Sequence, residues 1–336
     1  MTIIPGNAQH VGARKNQQDS FAISTLSDPD FISHAGVLAI VADGMGGLAE
    51  GSKASNLAVK SFMEAYCGKL EDESISTALD RSIFAANKAV YTLSLEIEQK
   101  GNCGTTLIAA VIHKSGLYWI YAGDSHIYLK DELTLKLLTE DHIYAKNLDK
   151  AAAKGLIDLD TAQNHPEREA LTSYIGDESI HEVGRGFLSG PLPEGATLLL
   201  CSDGLYKFIS EDSVMETYSD DPNLWAKRLV DLVISKNYIG QDNITVVCLR
   251  ANGHSNPVDK YNLLISLKRK HLFVLSGFSL LLICALVLFY MYLGTELMPQ
   301  EHSKSSDDVV IYKTSVDSND NKISDDRVLD YDAKGN

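Results

Sequence analysis

Apolar residues fall along this chain in two patterns. Short dense blocks, rich in Val, Ile, Leu and Tyr and mostly bounded by Gly or Asp, occupy 21–24, 37–42, 105–112, 117–122, 127–129, 196–201 and 243–249. Blocks of this length and composition predict buried strands. Elsewhere apolar positions recur every three or four residues, which predicts helices over 50–68, 74–100, 143–154, 211–218 and 223–235. Two long helices follow two strands, and a meander of strands comes next. That order favours a layered α+β fold with antiparallel sheets over a strictly alternating parallel one.

One stretch fits neither pattern. From Leu272 to Leu293 the chain reads LFVLSGFSLLLICALVLFYMYL, 22 residues without a charge. As a helix this is about 33 Å long, enough for a hydrocarbon core of ~30 Å, and it lacks the polar stripe of a buried soluble helix. It predicts a single transmembrane helix. Lys268, Arg269 and Lys270 directly precede it, whereas Glu296 and Glu301 are the first charges after it. The positive-inside rule therefore places the preceding domain in the cytoplasm and residues 294–336 outside. Residues 1–20 hold no apolar core of a signal peptide that would compete with this orientation. Residues 294–336 are acidic and rich in Ser, Asp and Asn, which predicts a disordered tail.

Composition narrows the function. With 45% hydrophobic and 22% charged residues the chain is globular in character. A net charge of −15 excludes a general nucleic-acid binder, which needs a positive field. Cys67, Cys103, Cys201, Cys248 and Cys284 form no CxxC pair, so neither a zinc knuckle nor a disulfide framework is predicted.

The candidate chemistry lies in aspartates at strand ends. Asp19 precedes SFAIS, Asp43 ends VLAIVAD, Asp124 ends LYWIYAGD, Asp203 ends LLLCSD and Asp242 opens DNITVVCL. A lone Asp there is a turn residue. Five of them at the ends of buried strands can converge on one cleft, where they repel unless protonated or bridged by a cation. Oxygen donors without His or Cys suit magnesium or manganese, and two such ions would clamp a phosphate and acidify a water. The turn Gly44-Met45-Gly46-Gly47-Leu48-Ala49 formally fits a dinucleotide fingerprint. Asp43 would face the pyrophosphate there, and Glu64 lies in a helical pattern instead of at a second strand end, so that reading is set aside. No Walker loop is present. His10, His126, His142 and His165 show no ligand spacing and are read as structural or surface residues. Cys201 is followed six positions on by Lys207 in place of the Arg of a thiol phosphatase loop, and is read as core packing.

In order along the chain come Arg14 with Gln17-Gln18-Asp19, Val41-Ala42-Asp43-Gly44-Met45-Gly46-Gly47, and Gly104-Thr105-Thr106. Ala122-Gly123-Asp124-Ser125, Leu138-Thr139-Glu140-Asp141-His142, Ser202-Asp203-Gly204 and Gly240-Gln241-Asp242-Asn243 follow. This series resembles the metal-dependent serine/threonine protein phosphatases of the 2C type, and the likeness covers nearly all of 5–250. Residues 154–176 resemble the flap of bacterial members. The resemblance implies an αββα sandwich, two antiparallel sheets flanked by helix pairs, to which the uncharged run 272–293 would add a C-terminal transmembrane helix. It implies two or three manganese or magnesium ions. Asp43 would bridge two of them, the Gly44 carbonyl would bind one, and Asp203 and Asp242 would complete the carboxylates. Asp19 would act through water, Asp124 would belong to a third ion, and Arg14 would hold the substrate phosphate, so that Asp43, Asp203, Asp242 and Arg14 carry catalysis.

Gln18, His126 and Met45 depart from common forms of these motifs. Gln18 replaces a carboxylate by an amide, which lowers metal affinity slightly. His126 stands where Arg is usual and takes a structural hydrogen bond. Met45 replaces the His of animal enzymes, leaving a metal-bound water to protonate the leaving oxygen.

The expectation is then a membrane-anchored phosphatase of phosphoserine and phosphothreonine, attacking in line through a hydroxide that bridges two ions. Residues 1–253 would be the phosphatase domain, 254–271 a juxtamembrane linker, 272–293 the single span of an inner or plasma membrane, and 294–336 the external tail. Phosphoproteins would be substrates, a serine/threonine kinase among its partners, and bacterial origin is implied. The alternative is a catalytically silent, phosphatase-like module that binds a partner and relays a signal across the membrane. Retention of Asp43, Asp203 and Asp242 favours the enzyme.

Overall fold

The computed structural model describes residues 1–45, 50–253 and the strand 310–315. The turn at 46–49, the predicted linker 254–271, the predicted span 272–293 and the rest of the predicted tail lie outside the described residues. Among those described, no helix is long and apolar enough to cross a membrane.

In chain order the elements are β1 (Thr2–His10), β2 (Asp19–Ile23), α1 (Pro29–Ala35), β3 (Val37–Asp43), α2 (Gly51–Cys67) and α3 (Ile75–Glu96). Then come β4 (Leu107–His113), β5 (Gly116–Ala122), β6 (His126–Lys130), β7 (Leu135–Leu137), α4 (Ala145–Ala153), α5 (Leu159–Gln163) and β8 (Glu182–Ser189). The series ends with β9 (Thr197–Cys201), α6 (Asp203–Tyr206), α7 (Glu211–Glu216), α8 (Pro222–Ser235), β10 (Ile244–Asn252) and β11 (Val310–Ser315). They form two antiparallel sheets, one ordered β1-β10-β9-β6-β7 and the other β11-β8-β5-β4-β3-β2.

The two-residue period of the strands builds the layers. Val37, Ala39 and Val41 of β3 and Ile108, Ala110 and Ile112 of β4 face the first sheet, where they meet Leu198 and Leu200 of β9 and Val247 and Leu249 of β10. The alternate residues Leu38, Ile40, Leu107 and Ala109 pack outward under Phe62 of α2 and Ile83 of α3. On the other side Leu199, Val246 and Cys248 pack under Trp225, Leu229 and Val233 of α8. The strands that supply both faces are therefore uninterrupted apolar runs, as their sequences read. Each fully buried aliphatic or aromatic side chain contributes about 1.5–3 kcal/mol, so the core between the sheets fixes how their ends face one another.

Helix starts follow local chemistry. The Asp28 carboxylate caps α1 before Pro29, Ser74 caps α3 by accepting from the Thr77 amide, and Asp221 caps α8 before Pro222. In the stretch 154–176, Arg168 ties α5 to α4: it donates to the Ala162 carbonyl of α5 at 3.0 Å and forms a forked pair with Asp149 of α4 at 2.8 and 3.0 Å.

Several strands escape the sequence reading for stated reasons. β1 contains Pro5 and Gly6, and Pro is tolerated because β1 is an edge. In β8, Gly184 and Gly186 break the apolar pattern. A Cβ at either would enter the ring of Tyr121 or Trp119, so the glycines make room for buried aromatics of β5. The tail also differs from expectation. Residues 310–315, expected to be disordered, form β11, which pairs antiparallel with the edge of β8, Val310 opposite Phe187 and Ser315 opposite Glu182. The segment VIYKTS is β-branched and aromatic in composition, and β8 offers an otherwise unpaired edge.

Candidate active site

Strand register brings the acidic residues to one end of the sandwich. Asp19 opens β2 and Asp43 ends β3, and the two are direct partners in the antiparallel ladder. Asp124 follows β5 in the same sheet. From the other sheet, Asp203 follows β9 and Asp242 precedes β10, which pairs with β9. The five carboxylates thus come from both sheets. Asp43 is pushed well above the usual carboxylate range, first by burial and then by the charges of Asp19, Asp203, Asp124 and Asp242. Asp19 is pushed up to about 6, chiefly by burial and despite hydrogen bonds from Thr245 and Ser202. Burial likewise raises Asp124, with Lys207 opposing it.

Both Asp-Gly turns have a steric origin. A Cβ on Gly44 would strike the carbonyls of Gly51 and Gln18, and one on Gly204 would strike the carbonyl of Asn243. Only glycine lets these chain segments approach closely enough to set Asp43 and Asp203 in one cleft. The Asp43 backbone is fixed further. Its amide donates to Thr106 Oγ1 at 3.0 Å, and its carbonyl accepts from the Thr106 amide at 2.9 Å and from Thr105 Oγ1 at 2.8 Å.

Asp19 links the sheets. Its Oδ2 accepts from Ser202 Oγ and Thr245 Oγ1, both at 2.7 Å. Its Oδ1, like Asp203 Oδ1, is buried without a hydrogen-bond partner among the described residues. Asn243 is the second link. Its Oδ1 accepts from the Gln18 amide at 2.7 Å, and its Nδ2 donates to the carbonyls of Val11 and Asn16 at 2.8 and 3.0 Å. This holds the loop that carries Arg14 against β10. Arg14 Nη2 lies 2.7 Å from Asp242 Oδ2, with 43% of its side chain exposed. An exposed ion pair of this kind is weak, so the guanidinium is available to a phosphate.

The residues fit divalent ions. All donors are oxygen, two buried carboxylate oxygens are unpartnered, and protons or cations must offset the clustered charge. No three of the side chains close on one point as they stand, among the described residues. Asp242 is turned to Arg14, while Lys207 Nζ lies 2.8 Å from Asp203 Oδ2 and 3.3 Å from Asp124 Oδ2.

Around the cleft, His126 is buried and structural. It stacks on Tyr206 at 3.5 Å between centroids, and its ring nitrogens lie 2.8 Å from Tyr128 Oη and Asp141 Oδ1. Cys201 is fully buried in the core under α8, and burial pushes its thiol up, away from the exposed thiolate a nucleophile needs. Sequence reasoning quoted Ser202 and Asn243 in the motif series without giving them a role, and singled out neither Thr245 nor Lys207 as a site residue. Lys207 entered only as the residue that breaks a thiol phosphatase loop. Its place four positions after Asp203, one helical turn away, was the available signal.

Comparison with known proteins agrees with this geometry. The family model described as protein phosphatase 2C matches residues 7–228. The serine/threonine phosphatase Stp of Listeria welshimeri serovar 6b is 35% identical over 218 residues, which cover 64% of this chain and 84% of that protein. The crystal structure of the Mycobacterium tuberculosis serine/threonine phosphatase PstP/Ppp superposes with a TM-score of 0.60 at 25% identity, covering 75% of this chain and 100% of that one. The PstP catalytic domain in complex with two manganese ions has the same fold, with a TM-score of 0.58 at 24% identity over 75% of this chain and 99% of that one. With two antiparallel sheets, the acidic cleft at their ends and a match over most of its described length, the chain belongs to the protein phosphatase 2C family.

Proposed function

We propose that this chain hydrolyses phosphoserine and phosphothreonine in proteins with the help of divalent ions held in the acidic cleft. It is a protein-serine/threonine phosphatase, and phosphoproteins are its substrates. The observation that carries the metal-dependent reading is the convergence of Asp19, Asp43, Asp124, Asp203 and Asp242 from both sheets, with two buried oxygens unpartnered. Asp43, Asp203, Asp242 and the Gly44 carbonyl would hold the ions, manganese or magnesium, with Asp19 and Asp124 beside them. When bound, such ions supply Lewis acidity toward the phosphate and lower the pKa of water.

The chain's own residues do the rest. Arg14 leaves Asp242 to grip the phosphate with its planar donors, and that exchange frees a carboxylate oxygen of Asp242 for the cleft. Thr105 and Thr106 hold Asp43 in place from its backbone side. Asn243 keeps the Arg14 loop within reach of β10.

The proposal extends to location. Residues 272–293 would anchor the chain in a membrane, with 1–253 on the cytoplasmic side, 254–271 as linker and 294–336 outside, opposing a membrane-bound serine/threonine kinase. A tail that has crossed is out of reach of β8, so in the anchored chain β11 would leave and the β8 edge would be open.

Turnover of a phosphothreonine peptide tests the chemistry. Chelation is expected to abolish it, and added manganese or magnesium to restore it. Asp43→Asn and Asp203→Asn should each lower turnover by more than ~100-fold, since even partners that only orient a ligand cost 10–100-fold. Arg14→Ala should chiefly raise KM. Full activity in chelator, or in Asp203→Asn, would leave the partner-binding module as the better reading.

A further inference from the structure

We infer that the ammonium of Lys207 is a resident cation of the acidic cleft, taking the place of one divalent ion at the Asp124–Asp203 pair. The inference rests on the reading of the cleft as an ion site and says how many ions this particular chain accepts.

The geometry is that of a bridge across two sheets. Asp124 follows β5 and Asp203 follows β9, and Lys207 Nζ reaches both, at 3.3 and 2.8 Å. The two carboxylates are 10% and 20% exposed and the lysine side chain 36%. A solvent-exposed lysine four residues from an aspartate on a helix contributes little and wanders. Lys207 is different because its second contact lies on another element and its surroundings are fixed. The preceding residue, Tyr206, donates from its hydroxyl to the Asp124 carbonyl at 2.9 Å and stacks its ring on buried His126. The Lys207 amide donates to the Asp203 carbonyl at 3.1 Å.

Charge then decides the ion count. Two adjacent carboxylates offer a divalent ion a site of charge −2, and an ammonium between them leaves −1 and adds a positive neighbour that repels the ion. Asp203 is divided in function. Oδ2 is taken by Lys207, while Oδ1 is buried with no hydrogen-bond partner among the described residues. Lys207 therefore closes one position and leaves the other open.

The test counts manganese bound to the full-length chain in detergent by equilibrium dialysis, for wild type, Lys207→Met and Lys207→Arg. Lys207→Met should bind one more ion per chain than wild type, and Lys207→Arg, which keeps the charge, should match wild type. An unchanged count in Lys207→Met overturns the inference, as does a gained ion in Lys207→Arg. Melting temperatures are the second measurement. Saturating manganese, compared with a low fixed concentration at which both proteins are folded, should raise that of Lys207→Met by more than that of wild type, and an equal rise overturns the inference. A wild-type chain that binds no manganese refutes the metal-dependent function, while the gain or absence of an ion in Lys207→Met still judges Lys207 separately.

Discussion

At the scale of single residues, Asp19 and Asp43 tie stability to pH. Burial pushes Asp19 up to about 6 in the folded chain against an ordinary 3.8, and burial and acidic neighbours also hold Asp43 well above the ordinary value. For both, the folded state keeps a proton that the unfolded chain releases near pH 4. The folded state is then favoured below that point, and the part due to Asp19 is lost as pH rises through about 6, while the part due to Asp43 acts in the same direction. Lowered carboxylates such as Glu73, held down by its hydrogen bond from Arg81, act in the opposite sense, but at lower pH and outside this window. Divalent ions held in the cleft would reverse the trend, because they would replace the protons. Melting temperature measured from about pH 5 to about pH 8 should fall with pH in chelator, and the gain from added manganese should widen over the same range. A chelated protein that grows more stable with pH would contradict this account of the cleft.

At the scale of elements, two glycines separate packing from chemistry. Gly186 lies in β8 against the ring of Trp119, which is buried and has no room to give. Gly204 follows Asp203 and lies against the carbonyl of Asn243. Gly186→Ala should cost about 1–3 kcal/mol, the range for an overpacked core, with kcat retained because β8 contributes no carboxylate to the cleft. Gly204→Ala should cost a similar amount and also lose most turnover, because relief of the clash moves Asp203 or β10. Urea unfolding and peptide turnover on both variants check this, and retained turnover in Gly204→Ala would dissociate the turn from the site. These glycines also mark where the strands were legible. β3, β4, β9 and β10 are buried on both faces and read as unbroken apolar runs. β1 and β8 carry Pro or Gly for edge or packing reasons, and those reasons exist only once the neighbouring element is in place.

For the molecule as a whole, the three apolar layers found among the described residues are built from side chains between Ile3 and Ala251. A chain ending at Gly253 is therefore expected to fold and to keep metal-dependent turnover, and an inactive but folded truncation would show that the remainder belongs to the active unit. Protease applied to intact spheroplasts should clip only 294–336 if the span is inserted with its basic flank inside, and loss of the domain would reverse the orientation. The strands β2 to β6, β9 and β10, the antiparallel layering and the set of strand-end aspartates followed from the sequence alone, because two-sided burial and the Asp-Gly turns leave local signatures, whereas β1, β7, β8 and β11 did not. The pairing of β11 with β8, the hydroxyls that hold Asp19, the tether through Asn243 and the bridge by Lys207 were decided only in three dimensions. Each joins residues far apart in the chain or on different sheets, and a contact of that kind depends on register and packing, which no local pattern of residues records.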